Sequence, residues 1–329
     1  MKIAIIGDGG WGTANAMLLS GYGHDVVVWG VSAEYVAEIA RTRRNPRFLP
    51  GVELPESVRW TSDREEAVKG TDVVVLAMPS KYFADVCTSF AGLISPGQLM
   101  VSLTKGICDT THSRMSELAR RILHTERVVV LSGPTHAEEV ARGIPTAIVA
   151  ASTSIEDARL VQSIWNGPTF RVYTSDDPIG VEMGGAVKNV IAIAAGCSDG
   201  LGFGDNTRAA LITRGQAEVA RFAQACGAKA ETVAGLSGIG DLIVTCTSRH
   251  SRNHMVGERL GKGERIGDVL KSMQMVAEGV WNAHSVREMA RELGVEMPIT
   301  EVVYRVCHQD MPVADAMSAL MNRPVKDEI

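Results

Sequence analysis

The chain contains 329 residues, of which 45% are hydrophobic and 22% charged, and 33 Lys+Arg against 38 Asp+Glu give a formal net charge of -5 at pH 7. This length exceeds what one typical core supports, so we expect an ordinary globular protein of two domains. No basic excess favours a nucleic acid or an anionic membrane surface as a partner. An anionic ligand must therefore be bound by local cations and backbone amides.

The six cysteines are widely spaced and form no C-x-x-C pair, which is typical of reduced thiols in a cytoplasmic protein. The first residues are typical of a core strand and lack the pattern of a signal peptide, and we identify no apolar run long enough to cross a bilayer. We therefore expect a cytoplasmic protein without membrane insertion. We expect no metal site.

A mostly apolar run at 1–6 leads into glycines at positions 7, 9 and 12, and a helix-compatible run follows at 13–20. G-x-G-x-x-G spacing between a strand and a helix predicts a dinucleotide site. Gly7 would permit the tight turn, Gly9 would let a pyrophosphate approach the backbone, and Gly12 would let the helix pack on the strand. The helix N-terminus would attract the anion. A glycine-rich turn without a ligand is the alternative, which this context disfavours.

Further along the chain, continuous valine-rich runs predict strands that are buried on both faces. They lie at 25–30, 71–78, 98–103 and 127–131, with helical segments such as 33–42 between them and further edge strands expected at 144–151 and 170–174. This alternation predicts an α/β fold with a Rossmann-type doubly wound parallel sheet. Ligands of such a sheet lie beyond the carboxyl ends of its strands. Unusual residues occur at four of these ends, 7–12, 78–81, 103–106 and 131–139.

Strand-like runs disappear from about residue 178. Helix-like segments follow at 180–195, 206–226, 254–261, 281–293 and 312–321. We therefore predict a dinucleotide-binding domain of residues 1–178 and an all-helical substrate-binding and catalytic domain of residues 179–329.

The end of the second strand bears on the choice of coenzyme. NAD-specific Rossmann sites place Asp or Glu about 20 residues past the glycines, where it holds the ribose 2′-OH. Here residues 29–32 contain no carboxylate, and the next acidic residue is Glu34. Arg41, Arg43, Arg44 and Arg47 come only later. A 2′-phosphate would not be repelled, so acceptance of both coenzymes or a preference for NADP is favoured over strict NAD use. Hundredfold weaker binding of NADPH would contradict this preference.

Lys188 and Asn189 are polar residues in an otherwise apolar helical segment at 182–195. A buried ammonium is unfavourable unless it has a partner or a chemical task. A lysine that extends to the surface is the simpler interpretation of this residue alone. Gly184 and Gly185, one turn earlier, would let another backbone or a flat ring approach closely, which favours a functional lysine.

Two later clusters also contain polar residues. Asp241 lies between small residues and an apolar run, which also suits a solvated turn or a helix N-cap. Ser251, Arg252 and Asn253 precede a helix-like run. Ser251 or Asn253 could cap that helix while its N–H groups and Arg252 bind a phosphate. A basic loop that ends in a cap is an equal alternative for this cluster alone.

Several motifs match one family in order and spacing from the first strand to about Pro298. They are Gly7-x-Gly9-x-Trp11-Gly12-Thr13, Lys105-Gly106, Ser132-Gly133-Pro134, Gly185-x-x-Lys188-Asn189, the run 200–215, Gly238-x-Gly240-Asp241-Leu242 and Ser251-Arg252-Asn253. With them the chain resembles bacterial NAD(P)-dependent sn-glycerol-3-phosphate dehydrogenases. The resemblance implies hydride transfer between the nicotinamide and C2 of glycerol 3-phosphate, a homodimer, and a role in glycerophospholipid synthesis.

The resemblance also implies individual roles. Lys188 would be the acid/base residue, and Asp241 would position it; Asp241 would also oppose any lowering of the Lys188 pKa, so its net shift stays open. The implied substrate-binding residues are Lys105, Gly133, Thr135, Lys188, Asp241, Ser251, Arg252 and Asn253. The implied coenzyme-binding residues are Gly7, Gly9, Gly10, Trp11, Gly12, Val31, Lys105, Ala137, Arg252, Val276 and Glu278.

Two residues depart from the family's pattern. Asp8 places a carboxylate in the glycine loop, and we expect it to point to solvent or to cap an amide. Val31 stands where relatives often have a polar or basic residue. Two other functions remain open: a β-hydroxyacid-type dehydrogenase in which Arg252 binds a carboxylate, and a protein that binds NAD(P) without catalysis.

Overall fold

The computed structural model describes residues 1–273, 275–325 and 327–328. Its N-terminal part alternates strands and helices up to residue 175. In chain order these are β1 (Lys2–Ile6), α1 (Gly10–Gly21), β2 (Asp25–Trp29), α2 (Ala33–Thr42), β3 (Arg44–Asn45), β4 (Leu49–Glu53), β5 (Arg59–Thr61), α3 (Arg64–Val68), β6 (Val73–Leu76), α4 (Ser80–Phe90), β7 (Leu99–Ser102), α5 (Met115–Leu123), β8 (Val128–Ser132), α6 (Ala137–Ala141), β9 (Thr146–Ala151), α7 (Ile155–Trp165) and β10 (Phe170–Ser175).

Eight of these strands form one sheet in the order β10-β9-β8-β7-β6-β1-β2-β5. The predicted Rossmann-type sheet is confirmed, and the strand order reverses at the crevice between β1 and β6, where such sheets bind their ligands. The short β3, β4 and β5 were not predicted; β3 and β4 form a separate antiparallel pair.

The two predicted edge strands differ in direction from the rest of the sheet. β9 pairs antiparallel with β8, whereas β10 runs parallel to β9. Only α6, a helix of five residues, separates β8 from β9. α6 lies beside Gly10 at the carboxyl end of the sheet, where the Cβ of Ala137 is 3.7 Å from a Cβ built on Gly10. The chain therefore does not cross back before β9 begins, and a parallel strand would need such a crossover.

The central strands are buried on both faces because helices cover each side. Ile3 and Ile5 of β1 pack in one core with residues of α1 and α7, whereas Ala4 and Ile6 pack in another with residues of α3, α4 and α5. This arrangement explains the continuous valine runs, since neither face of a strand meets water.

After β10 the described residues contain helices and no strand. These helices are α8 (Pro178–Gly200), α9 (Asp205–Ala225), α10 (Ala230–Val233), a π-helical turn (Leu236–Gly240), α11 (Asp241–Thr247), α12 (Arg252–Gly261), α13 (Ile266–Lys271), α14 (Glu278–Glu292), α15 (Pro298–His308) and α16 (Val313–Met321). The prediction of a helical C-terminal part is confirmed. α10, α11, α13, α15 and the π-helical turn were not predicted.

The helix α8 organises this part of the chain. Asp177 caps it by accepting a hydrogen bond from the backbone N–H of Gly180, and Pro178 occupies its first turn. α8 has the length and mean hydropathy of a membrane-spanning helix, but Glu182 and Lys188 interrupt its apolar residues, so it is not a continuous apolar run. Moreover, 94% of its most apolar 18-residue stretch is buried inside the protein. Its apolar character is accounted for by its position at the centre of the helical core.

Candidate active site

The glycine loop between β1 and α1 has the conformation that its spacing predicts. Gly7 has a φ of +123°, and a Cβ there would lie 2.6 Å from the backbone oxygen of Ala77. A Cβ on Gly12 would collide with the backbone oxygen of Gly7. Gly7 and Gly12 are therefore required by the turn and by the close approach of helix and strand.

Gly9 has a different role, because a Cβ built there meets nothing within 4 Å. It is the N-cap of α1, and no side chain caps the helix. The first N–H groups of α1 thus remain available to an anion. This open, uncapped helix N-terminus at the strand-order reversal fits the pyrophosphate of a dinucleotide.

Other residues expected at the coenzyme lie around this loop. Gly10 packs against Ala137 and against the backbone of Phe48 in the β3–β4 hairpin. Trp11 is partly buried beside the sheet core. Val31, by contrast, is 80% exposed just after β2. Phe48 was not singled out from the sequence.

The structure brings Lys188 of α8 and Lys105, which follows β7, to the same carboxylate. Lys188 Nζ donates to Asp241 Oδ1 at 2.7 Å, and Lys105 Nζ donates to Asp241 Oδ2 at 2.7 Å. Lys188 is 6% exposed and Asp241 1% exposed. The simpler interpretation, a lysine that reaches the surface, is therefore wrong. The ion pair of Lys105 and Asp241 joins the two parts of the chain, because Lys105 follows β7 and Asp241 begins α11. Lys105 Nζ also donates to the Gly133 backbone oxygen at 3.0 Å.

Thr245 completes the surroundings of the lysine and was missed from the sequence. Lys188 Nζ donates to its hydroxyl at 2.6 Å, and that hydroxyl donates to the Asp241 backbone oxygen at 2.6 Å. Thr245 lies one helical turn after Asp241, so the i, i+4 spacing was an available signal. Two of the three N–H bonds of the Lys188 ammonium are thereby directed at protein oxygens.

The protonation of this cluster follows from burial and from its charges. Burial lowers the pKa of Lys188 to about 8, although Asp241 raises it. Burial opposes the charge on Asp241, but Lys105 and Lys188 together hold its pKa below the usual value. Burial and then the charge of Lys188 lower the pKa of His136. The net shift of the Lys188 pKa, which the sequence left open, is therefore downward, because desolvation and the charge of Lys105 outweigh the effects of Asp241 and Glu278.

Glycines allow α8 to approach its neighbours at this point. A Cβ on Gly184 would lie 2.6 Å from the Ser237 backbone oxygen of the π-helical turn. A Cβ on Gly185 would lie 3.1 Å from Ser132 Oγ. Gly184 thus admits the backbone of the π-helical turn, and Gly185 admits the last residue of β8.

Ser251, Arg252 and Asn253 lie at the start of α12, which packs against α8. The Ser251 hydroxyl accepts from the His254 N–H at 3.2 Å and caps the helix. Arg252 is exposed, and its Nη1 donates to the Val276 oxygen at 2.6 Å. The helix N-terminus and the guanidinium together can bind an anion.

The amide of Asn253 is engaged within the protein. It donates to Asn189 Oδ1 at 2.8 Å and accepts from the Gly279 N–H at 2.9 Å. These bonds join α12 to α8 and α14. A ligand therefore meets the backbone of Asn253 more readily than its side-chain oxygen.

Glu278, at the start of α14, accepts from the Ser80 N–H at 3.3 Å. Burial raises its pKa, against the effect of Arg252. Three buried polar atoms nearby have no hydrogen-bond partner among the residues that the structure describes: His136 Nε2, Ser132 Oγ and Asn282 Oδ1. Buried polar atoms normally form hydrogen bonds, so these three atoms are available to bind a polar ligand. Asn282 and Ser80 were not identified from the sequence.

No group of three or more His, Cys, Asp or Glu within the described ranges could hold a metal ion.

Comparison with known proteins identifies relatives along the whole chain. A family model described as NAD-dependent glycerol-3-phosphate dehydrogenase N-terminus matches residues 2–158, and the corresponding C-terminus model matches residues 177–318. A glycerol-3-phosphate dehydrogenase [NAD(P)+] from Geobacter metallireducens is 50% identical over 99% of this chain and 98% of its own length. One from Chlorobium phaeobacteroides is 47% identical over 100% of this chain and 99% of its own.

Solved structures agree with these sequence matches. The crystal structure of glycerol-3-phosphate dehydrogenase from Coxiella burnetii superposes with a TM-score of 0.94 at 37% identity, covering 98% of this chain and 99% of that one. The enzyme of the same name from Saccharomyces cerevisiae gives a TM-score of 0.82 at 25% identity, covering 97% of this chain and 99% of that one.

Proposed function

The chain belongs to the NAD-dependent glycerol-3-phosphate dehydrogenase family, and from that premise we propose that it interconverts sn-glycerol 3-phosphate and dihydroxyacetone phosphate with NAD(H) or NADP(H). One observation carries the proposal: a buried lysine with a lowered pKa shares a carboxylate with a second lysine from the Rossmann part. A protein that only bound a dinucleotide would have no use for such a group, because burying its charge is unfavourable.

In the proposed reaction Lys188 moves the proton. Reduction of the ketone needs a proton at its oxygen, and the Lys188 ammonium keeps one N–H bond beyond those to Asp241 and Thr245. In the reverse direction the neutral amine accepts the proton of the C2 hydroxyl. The bound nicotinamide supplies or accepts the hydride. Asp241 and Thr245 hold the Lys188 amine in one position.

The phosphate of the substrate is assigned to the start of α12. Ser251 accepts from the His254 N–H, so the first N–H groups of α12, those of Arg252 and Asn253, and the Arg252 guanidinium can face a dianion. Lys105, Gly133 and Thr135 would close the pocket from the Rossmann side, where Lys105 Nζ and Thr135 Oγ1 both donate to the Gly133 oxygen.

The coenzyme is assigned to the loop of Gly7 to Gly12, with Val31 and Ala137 beside it and Lys105, Arg252, Val276 and Glu278 toward the helical part. The contact of Arg252 with Val276 supports a guanidinium shared by both ligands. Cofactor binding would thereby prepare the phosphate site.

The test is a spectrophotometric assay of reduced nicotinamide with dihydroxyacetone phosphate. Purified protein should oxidise NADH or NADPH only when the ketone is present, and Lys188→Ala should abolish turnover while coenzyme still binds. Turnover of 3-hydroxyisobutyrate or 6-phosphogluconate without turnover of glycerol 3-phosphate would overturn the proposal in favour of a β-hydroxyacid dehydrogenase. Unchanged activity and ligand affinity in Lys188→Ala would favour a non-catalytic binding protein.

The division into residues 1–178 and 179–329, the homodimer, the cytoplasmic location without membrane insertion and the role in glycerophospholipid synthesis are further parts of the proposal. The six free cysteines support a reducing compartment. The end of β10 at Ser175 and the start of α8 at Pro178 support the domain division. Light scattering of the purified protein tests the dimer.

A further inference from the structure

The end of β2 lies beside the glycine loop. The Gly7 N–H donates to the Trp29 oxygen at 2.9 Å, and Ile6 pairs with Trp29 in the sheet. Gly30 follows at once, about 20 residues past the glycine motif, where an NAD-specific Rossmann protein carries its ribose-binding carboxylate. Gly30 has no side chain that could bind the ribose, and the lack of a carboxylate at residues 29–32 is what favours NADP on the sequence alone.

A carboxylate nevertheless occupies this place. Asp8 Oδ2 lies 2.6 Å, and its Cγ 2.8 Å, from the position that a Cβ of Gly30 would take. The side chain of Asp8 thus fills the space that a residue-30 side chain would enter. Of the two expectations for Asp8, that it points to solvent was wrong, because Gly30 leaves room for its side chain against the strand end. The alternative, that it caps an amide, agrees with the hydrogen bond of its own backbone N–H, which lowers its pKa.

The backbone around Asp8 is held in place by a small network. Asn45 Nδ2 donates to the backbone oxygen of Asp8 at 2.8 Å and to Thr13 Oγ1 at 2.8 Å. Asn45 Oδ1 accepts from the Tyr35 hydroxyl at 2.6 Å. These bonds tie the loop to α2 and to the β3–β4 hairpin. The carboxylate is therefore presented by a fixed backbone.

The positive charge of Arg47 acts on this carboxylate. The guanidinium of Arg47 stacks 4.2 Å above the Tyr35 ring. Burial raises the pKa of Asp8, whereas its own backbone amide and Arg47 lower it. With Asp8 present, the positive charge of Arg47 is partly offset.

We propose that Asp8 supplies, from the glycine loop, the carboxylate that selects NAD(H) over NADP(H) at the end of β2. Its oxygens accept from the ribose 2′-OH of NAD(H), and its charge repels the 2′-phosphate of NADP(H). The inference deepens the proposed function, because it concerns the coenzyme of the same site. It reverses the preference drawn from residues 29–32.

The test is a binding titration without substrate, followed by nicotinamide fluorescence, on wild type, Asp8→Asn and a control. Asp25→Asn is the matched control, because Asp25 lies at the start of β2, at the end of that strand away from Gly30, and pairs with Arg59 on the surface. We expect wild type and Asp25→Asn to bind NADH more tightly than NADPH. Asp8→Asn should tighten NADPH binding about tenfold or more, a change expected from removing one nearby like charge.

Arg47 provides a second variant. Once Asp8 is neutral, Arg47 is the cation that attracts the 2′-phosphate, so adding Arg47→Ala to Asp8→Asn should reverse most of the gain. Competition by 2′,5′-ADP and by ADP isolates the adenosine end. Asp8→Asn should tighten the binding of 2′,5′-ADP but not the binding of ADP.

Tighter binding of NADPH than of NADH by wild type, or an unchanged ratio of the two dissociation constants in Asp8→Asn, would overturn the inference. Because no substrate is present, its failure is separate from that of the proposed function. Coenzyme discrimination without turnover of dihydroxyacetone phosphate would leave the inference standing and refute the proposed reaction.

Discussion

The lowered pKa of Lys188 predicts opposite pH profiles for the two directions of the reaction. Its pKa falls from the usual 10.5 to about 8 in the fold. This difference corresponds to about 3 kcal/mol in disfavour of the buried ammonium. About nine in ten molecules carry the proton at a pH one unit below the pKa, and about one in ten at one unit above it.

Reduction of the ketone needs the ammonium, so its kcat/KM should be level at low pH and fall about tenfold per pH unit above about 8. Oxidation of the alcohol needs the neutral amine, so its kcat/KM should rise with pH and level off above the same value. Absorbance of reduced nicotinamide measures both rates.

Asp241→Asn provides the critical comparison. Asp241 raises the pKa of Lys188, so the inflection in the variant should move to lower pH in both directions. If kcat/KM rises with pH for both ketone reduction and alcohol oxidation, or falls for both, the assignment of Lys188 as the proton donor and acceptor is refuted. An inflection that stays in place in Asp241→Asn would refute the electrostatic coupling.

Three further outcomes are expected. Lys188→Met should abolish turnover yet unfold no more readily than wild type at pH 7. The pKa of Lys188 in the fold lies below that in the unfolded chain, so the free-energy penalty of burying the ammonium is full below about pH 8 and disappears as pH rises to 10.5. A much lower melting temperature of the variant would contradict this. Arg252→Ala, at an exposed site, should raise the substrate KM about 10- to 100-fold by loss of a charged hydrogen bond, and an unchanged KM in steady-state kinetics would remove Arg252 from the phosphate site. Glu182→Ala should destabilise the fold by about 3–5 kcal/mol in denaturant unfolding, since Glu182 accepts from Arg114 Nη1 at 2.6 Å and from the Ser116 N–H at 2.8 Å. Glu182→Gln, which keeps the shape of the side chain, is the control. Equal stability of wild type, Glu182→Ala and Glu182→Gln would contradict the reasoning.

Local patterns were sufficient for much of the fold. The predicted helix at 33–42 matches α2, and the glycine spacing predicted the turn and helix at β1–α1, because periodicity and turn chemistry act within a few residues. The direction of β9 was not accessible in this way. Its residues suit either direction, and the place where α6 packs decided it.

The same division applies to the candidate site. The sequence by itself determined that a lysine interrupts an apolar helix, that a glycine loop opens the chain and that a helix with Ser251 or Asn253 as its cap follows the basic loop. Only the tertiary structure decided that Lys188 is buried against Asp241, 53 residues later in the chain, and that Asp8 lies against Gly30. Contacts between distant residues depend on how the helices and strands pack, and pKa shifts depend on the burial that this packing creates.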